Sequence, residues 1–161
     1  MPPEVEVREA RAEDAKAIHA LACELADAVG DSYPEAEAVR GRLAELLETP
    51  SARALVAEGE EGILGLTSFW IKPDLAHGDT IVEIPMLVVA ERARRRGVGN
   101  LLMDRVWDAA LEHGAGMIEL IATPANIAAR EFYRSLGFVE TDHISLEFMG
   151  DVDDPPGSEQ Q

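Results

Sequence analysis

Arg94-Arg95-Arg96-Gly97-Val98-Gly99 stands between an apolar run, Ile81 to Val89, that reads as a strand and an amphipathic run that reads as a helix. Glycines at such a junction let the main chain turn tightly and bring its N–H groups near a ligand. A helix beginning there adds unpaired amides and the positive end of its dipole, which suits a phosphate. Three arginines put positive charge at the same spot, in a chain with a formal net charge of −17. A small polyanion such as a pyrophosphate explains this cluster better than nucleic acid does; a solvated basic turn is the plain alternative. The pattern is neither a dinucleotide G-x-G-x-x-G nor a Walker loop, since no Gly-Lys-Ser/Thr follows. Glu83 is the one acid inside the apolar run Ile81-Val-Glu-Ile-Pro-Met-Leu-Val-Val89. Burial raises a carboxyl toward the range useful to a general base, although strand alternation also allows Glu83 to face solvent.

The elements that must position these residues follow from periodicity. Val5 to Arg8 is a short strand. A helix starts at Ala12-Glu13-Asp14, with acids where the dipole favours them, and buries Ile18, Leu21, Ala22 and Leu25 before Gly30 ends it. A second helix begins at Pro34, with Val39, Leu43, Leu46 and Leu47 inward, and stops before Pro50. Ala52 to Glu58 and Ile63 to Lys72 read as a hairpin whose tip, Gly59-Glu60-Glu61-Gly62, carries solvated acids. After the strand Ile81 to Val89 come a helix from Val98 to His113, a strand from Met117 to Ala122 and a helix from Ala125 to Leu136. Phe138 to Glu140 and Ser145 to Met149 close the sheet as two more strands. The order β-α-α-β-β-β-α-β-α-β-β describes an α/β (α+β) chain: a mixed, mostly antiparallel sheet of about seven strands flanked by four helices.

The 161 residues suit one domain over 1–150, with residues 151–161, acidic and carrying Pro155-Pro156 and Gly157, as a disordered tail. No apolar run approaches the roughly 20 residues of a membrane span, and the N-terminus lacks the basic start and apolar core of a signal peptide. A cytoplasmic location is expected. Cys23 is the single cysteine, so an internal disulfide is excluded, and it reads as a small buried hydrophobe. The histidines are scattered without ligand spacing, so no metal is expected. The acid excess repels nucleic acid and anionic lipid and favours cationic partners.

Asn126-Ile-Ala-Ala129-Arg-Glu-Phe132-Tyr133-Arg-Ser-Leu-Gly137-Phe138 resembles the N-x-x-A-x-x-F-Y-x-x-x-G-F motif of the GCN5-related N-acetyltransferase (GNAT) superfamily. Leu87-x-Val89 with Arg94 five residues on fits its L-x-V-x-x-x-x-R pattern, and Arg94-x-x-Gly97-x-Gly99 its R-x-x-G-x-G. These segments span residues 81–138 in the family's order.

The resemblance implies an acetyl-CoA-dependent N-acetyltransferase acting by direct attack in a ternary complex, with no metal. Arg94, Arg95, Arg96, Gly97, Val98, Gly99 and Asn100 would hold the CoA pyrophosphate. The main chain of Leu87 and Val89 would pair with the pantetheine arm, and a backbone N–H near Val88 would meet the thioester carbonyl. Pro85 fits a local break in pairing, or a bulge. Asn126 would cap its helix and reach the cofactor, or only cap it. An alkylamine near pKa 10.4 must lose a proton before it can attack, and Glu83 matches the base of the histone-acetylating members. Tyr133 matches the tyrosine that assists the departing sulfur, by a hydrogen bond or as an acid. Asp27, Asp31, Tyr33, Glu35, Trp70, His77, Asp79, Asp142 and His143 fall where acceptors are recognised, and their acids point to a cationic small-molecule or peptide amine. A homodimer is possible. The rival from another class is an acetyl-CoA sensor without turnover.

Overall fold

A computed structural model describes residues 4–154, 156 and 157. The chain divides into two compact units, Met1–Ile127 and Ala128–Gln161. The first carries a five-stranded sheet in the order β1 (Glu6–Glu9), β2 (Ala52–Gly59), β3 (Gly62–Asp74), β4 (Asp79–Val89) and β5 (Met117–Leu120). Neighbours from β1 to β4 are antiparallel, and β5 lies parallel to β4 after the crossover helix α3 (Val98–Glu112). Helices α1 (Ala15–Val29) and α2 (Ala36–Leu47) fill the β1–β2 connection.

Ala54 to Ala57 and Leu64 to Thr67 are each buried without interruption. Successive strand residues point to opposite faces, so helices must cover both faces of the sheet centre. Leu64, Phe69, Val82, Leu102 and Val106 are among the large, fully buried side chains of that core. Gly65 lets the start of α3 press onto the sheet. A Cβ there would meet Val98 Cγ1 at 3.0 Å, Leu102 Cδ1 at 3.1 Å and the Val88 carbonyl at 3.2 Å.

The entry to α1 differs from the expected helix start. Ala12–Asp14 forms a 3₁₀ turn. Asp14 is buried, takes both terminal nitrogens of Arg8 at 2.9 Å and accepts the Arg11 N–H at 2.7 Å. Its acid serves an ion pair as well as the turn. On α1, His19 Nε2 lies 2.8 Å from the Pro34 carbonyl, which can only accept, so this nitrogen carries the proton. Half-buried Cys23 has its Sγ 3.6 Å from the same nitrogen. Leu47, expected inward, is exposed at the end of α2.

The second unit holds most of α4 (Ile127–Ser135), ended by Gly137 at φ 95°. Here the expected strands fail. Neither Phe138 to Glu140 nor Ser145 to Met149 is a strand, and the sheet has five strands rather than about seven. Alternating apolar residues make a strand possible, but a strand exists only through ladder bonds to another segment. Ile144, Leu146 and Met149 are exposed instead. Of the expected tail, residues 155 and 158–161 lie outside the described residues.

Candidate active site

The site is organised by one open strand edge. β4 pairs with β5 only from Ile81–Met117 to Ile84–Leu120, yet it continues to Val89. Among the described residues, the β5 side of β4 therefore has no ladder from Pro85 onward. Opposite β3, the register steps from Ser68–Met86 to Trp70–Glu83, so Phe69 alone faces Ile84 and Pro85. Pro85 thus coincides with a bulge and with the end of β5 pairing, both readings that its missing N–H allows. Buried Thr67 donates its hydroxyl to the Met86 carbonyl at 3.0 Å, giving that bulge carbonyl a partner.

The ladder also fixes which amides face the open edge. Ala90 N–H donates to Leu64 O at 2.8 Å. Two residues back, Val88 pairs with Leu66 in the same orientation, toward β3. Leu87 and Val89 therefore turn their N–H and C=O groups to the open edge. The Val88 N–H, by contrast, faces β3.

Beyond Ala90, a 3₁₀ turn over Glu91–Ala93 leads into the arginine loop. Glu24 on α1 anchors it by accepting the Glu91 N–H at 2.9 Å. Arg95 and Gly97 both adopt left-handed backbone, at φ 63° and 78°. The first helical bond of α3 runs from Leu101 N–H to Gly97 O, 3.1 Å. The amides of Val98, Gly99 and Asn100 precede it and are the orphan donors of a helix start. The side chains of Arg94, Arg95 and Arg96 are exposed. Arg96 is held 3.1 Å from Glu61 at the β2–β3 tip, so this acid, expected to be merely solvated, has an ionic partner. Arg92 instead bonds the Ile63 carbonyl at 3.0 Å.

Glu83 is not sealed in an apolar pocket. Its side chain is 37% exposed and its Oε2 lies 2.5 Å from Lys72 Nζ. Trp70 on β3 and Glu119 on β5 stand in register beside it. Glu83, with Glu119 and Asp74, strengthens the hold of Lys72 on its proton. Sequence reasoning missed Lys72, Glu119, Thr67 and Glu24, because each acts through strand register or a tertiary bond. Among the acceptor candidates, exposed Tyr33 donates to Asp27 Oδ1 at 2.7 Å, and His77 Nδ1 pairs with Asp74 Oδ2 at 2.5 Å. Asp31, Glu35 and Asp79 are exposed.

In the second unit, Tyr133 on α4 is half-buried between Phe132 and Phe138, with ring centroids 5.2 and 5.4 Å away. Burial pushes its phenol up to about 12. Glu140 receives Arg130 at 2.7 Å and Arg134 at 3.1 Å, closing the turn after α4. Asp142 and His143 are exposed there. Asn126 stands directly before α4, with its N–H on Thr123 O at 3.0 Å.

The sequence model of the acetyltransferase (GNAT) family matches residues 10–138. The chain belongs to the GNAT acetyltransferase family. It is 37% identical over 113 residues to a mycothiol acetyltransferase of Beutenbergia cavernae, covering 66% of this chain and 36% of that enzyme. It therefore spans about a third of that relative's length. An aminoalkylphosphonate N-acetyltransferase of Salmonella typhimurium is 29% identical over 139 residues, which is 86% of this chain and 88% of that one. Among solved structures, an aminoglycoside N-acetyltransferase in complex with CoA superposes with a TM-score of 0.79 at 18% identity, over 92% of this chain and 96% of that one. The fold is thus the GNAT fold.

GNAT enzymes use acetyl-CoA, and two features of this GNAT chain fit such a group. Orphan amides and exposed arginines gather at one loop, and an unpaired strand edge leads from it. Among the described residues no cluster of His, Cys, Asp or Glu could hold a metal, and no helix is long and apolar enough to cross a membrane.

Proposed function

We propose that the protein transfers an acetyl group from acetyl-CoA to a primary amine of a small molecule, by direct attack in a ternary complex. The observation that carries this reading is the open edge of β4, which starts where β5 pairing stops and ends at the arginine loop. Bound acetyl-CoA supplies an activated acetyl group as a thioester. Leu87 and Val89 would take its extended arm as a further strand, through the main-chain groups that face the edge. The amides and side chains of Arg94 to Asn100 would hold the pyrophosphate, with Asn126 as a further contact at the start of α4. The Leu87 N–H is the donor aimed to stabilise charge on the thioester oxygen.

Glu83 is the acceptor for the amine's proton, directly or through water. Its carboxylate already binds one alkylammonium, that of Lys72, and Glu119 adds a second negative charge beside it. This supports a cationic acceptor, as does the aminoglycoside named for an N(6')-acetyltransferase of Serratia marcescens, 26% identical over 109 residues. The aminoalkylphosphonate named for the Salmonella relative supports only the amine, because its phosphonate is an anion. Tyr133 donates a hydrogen bond to the departing sulfur. Literal proton transfer from a phenol near 12 to a thiolate whose acid is near 8.5 would cost about 5 kcal/mol.

The test is incubation with acetyl-CoA and a panel of aminoalkylphosphonates, aminoglycosides, polyamines and lysine peptides, read by mass spectrometry for acetylated products. A product made by the wild type and lost in Tyr133→Phe is expected. Acetyl-CoA binding without any product would replace the enzyme by a sensor.

A further inference from the structure

Lys72 and Lys16 are the chain's two lysines. The ammonium of Lys72 sits 2.5 Å from Glu83 Oε2, the carboxylate that serves above as the proton acceptor. The two side chains are 42% and 37% exposed, so both are open to an incoming group. Around the pair stand Glu119 on β5, in register with Glu83, and Asp74 on β3. The pair lies one register position before the β5 pairing of β4 ends at Ile84. An acceptor must bring a primary alkylamine to this carboxylate, and Lys72 already does so as part of the same chain. Tethering of this kind gives an effective concentration far above that of a dissolved amine.

We propose that Lys72 is itself an acetyl acceptor, modified once per chain by the protein's own use of acetyl-CoA. The inference rests on the proposed function. Lys72 Nζ gives a proton to Glu83, and its freed electron pair forms a bond to the acetyl carbon. The carbon–sulfur bond breaks and its electron pair leaves on the CoA sulfur, while the nitrogen gives up its second proton, which makes that sulfur the thiol. Glu83 releases the first proton to water. Nothing is oxidised or reduced. The ion pair keeps Lys72 protonated at rest, which makes this a slow single event rather than turnover. The product amide is neutral and no longer caps Glu83.

Lys16 provides a built-in reference, because it is exposed on α1 and would react with acetyl-CoA by simple chemistry. Full-length protein is incubated with acetyl-CoA, and acetyl occupancy of both lysines is read by peptide mapping, beside CoA binding by calorimetry and a panel of small amines. Lys72 is expected to exceed Lys16 at least tenfold, and Glu83→Gln to bring Lys72 down to the Lys16 level. Lys72→Arg should remove the single 42-Da increment from the intact mass and keep CoA binding. Equal occupancy of both lysines in the wild type overturns the inference even if no variant folds. So does acetylation of Lys72 that Glu83→Gln leaves unchanged. A small amine acetylated while Lys72 stays unmodified overturns this inference alone, whereas absent CoA binding overturns the proposed function with it.

Discussion

A phenol is a weaker acid than a thiol in water, and burial between Phe132 and Phe138 makes Tyr133 weaker still. The gap grows from about 2 kcal/mol for an ordinary tyrosine to about 5 kcal/mol at a pKa near 12. A group that cannot afford to give up its proton can still share it. Tyr133→Phe should therefore remove one charge-assisted hydrogen bond, about 1.5–3 kcal/mol, and lower kcat about 10- to 100-fold. CoA affinity should change less than about twofold, since the bond strengthens only as the sulfur gains charge. The pH dependence has a definite sign. Because the pKa is raised, the hydroxyl stays protonated through pH 10 and is lost only as pH rises toward about 12. A kcat profile that falls with a midpoint near pH 9 and loses that fall in Tyr133→Phe would contradict this role.

At the scale of elements, the junction of β1 with the 3₁₀ turn depends on Asp14 holding Arg8 and the Arg11 amide. The Arg8 contact is the main cause that lowers the pKa of Asp14. Its stabilisation is present above the ordinary carboxylate range near 4 and is lost as pH falls below it. Asp14→Ala should cost about 3 kcal/mol in urea unfolding at pH 7, because Arg8 stays partly buried with fewer partners, and progressively less as pH falls below about 4. The β2–β3 tip makes a different prediction: Glu61 competes with a polyanion for Arg96. Both groups are substantially exposed, so Glu61→Gln should tighten CoA binding only up to about fivefold by calorimetry. These elements also separate what was legible in the sequence from what was not. The arginine loop, the apolar faces of α1 and α3 and the strand containing Glu83 rest on local spacing, and all are visible in one dimension. The Lys72–Glu83 pair needs the β3–β4 register, and the orientation of Val88 needs one cross-strand bond. The two strands expected after Gly137 show the reverse error, a local pattern read without the edge that would have to pair with it.

The whole molecule carries 31 acidic against 14 basic residues, a formal charge of −17. Its long-range field therefore attracts a cationic acceptor and repels the polyanionic acetyl-CoA, while Arg94, Arg95 and Arg96 reverse that sign locally. The two influences differ in range, and salt separates them. At about 0.1 M salt the Debye length is about 10 Å, so the distant acids are screened while directly bonded pairs persist. Raising the salt from low to about 0.3 M should increase KM for a polyamine several-fold and for a monoamine less, because the attraction scales with acceptor charge. The KM for acetyl-CoA should move less, since its global repulsion and its local attraction are screened together. Steady-state kinetics at a series of salt concentrations measures all three slopes. Equal slopes for the polyamine and the monoamine would mean that the acid excess does not reach the acceptor site, and that acceptor preference comes only from the contacts around Glu83 and Glu119.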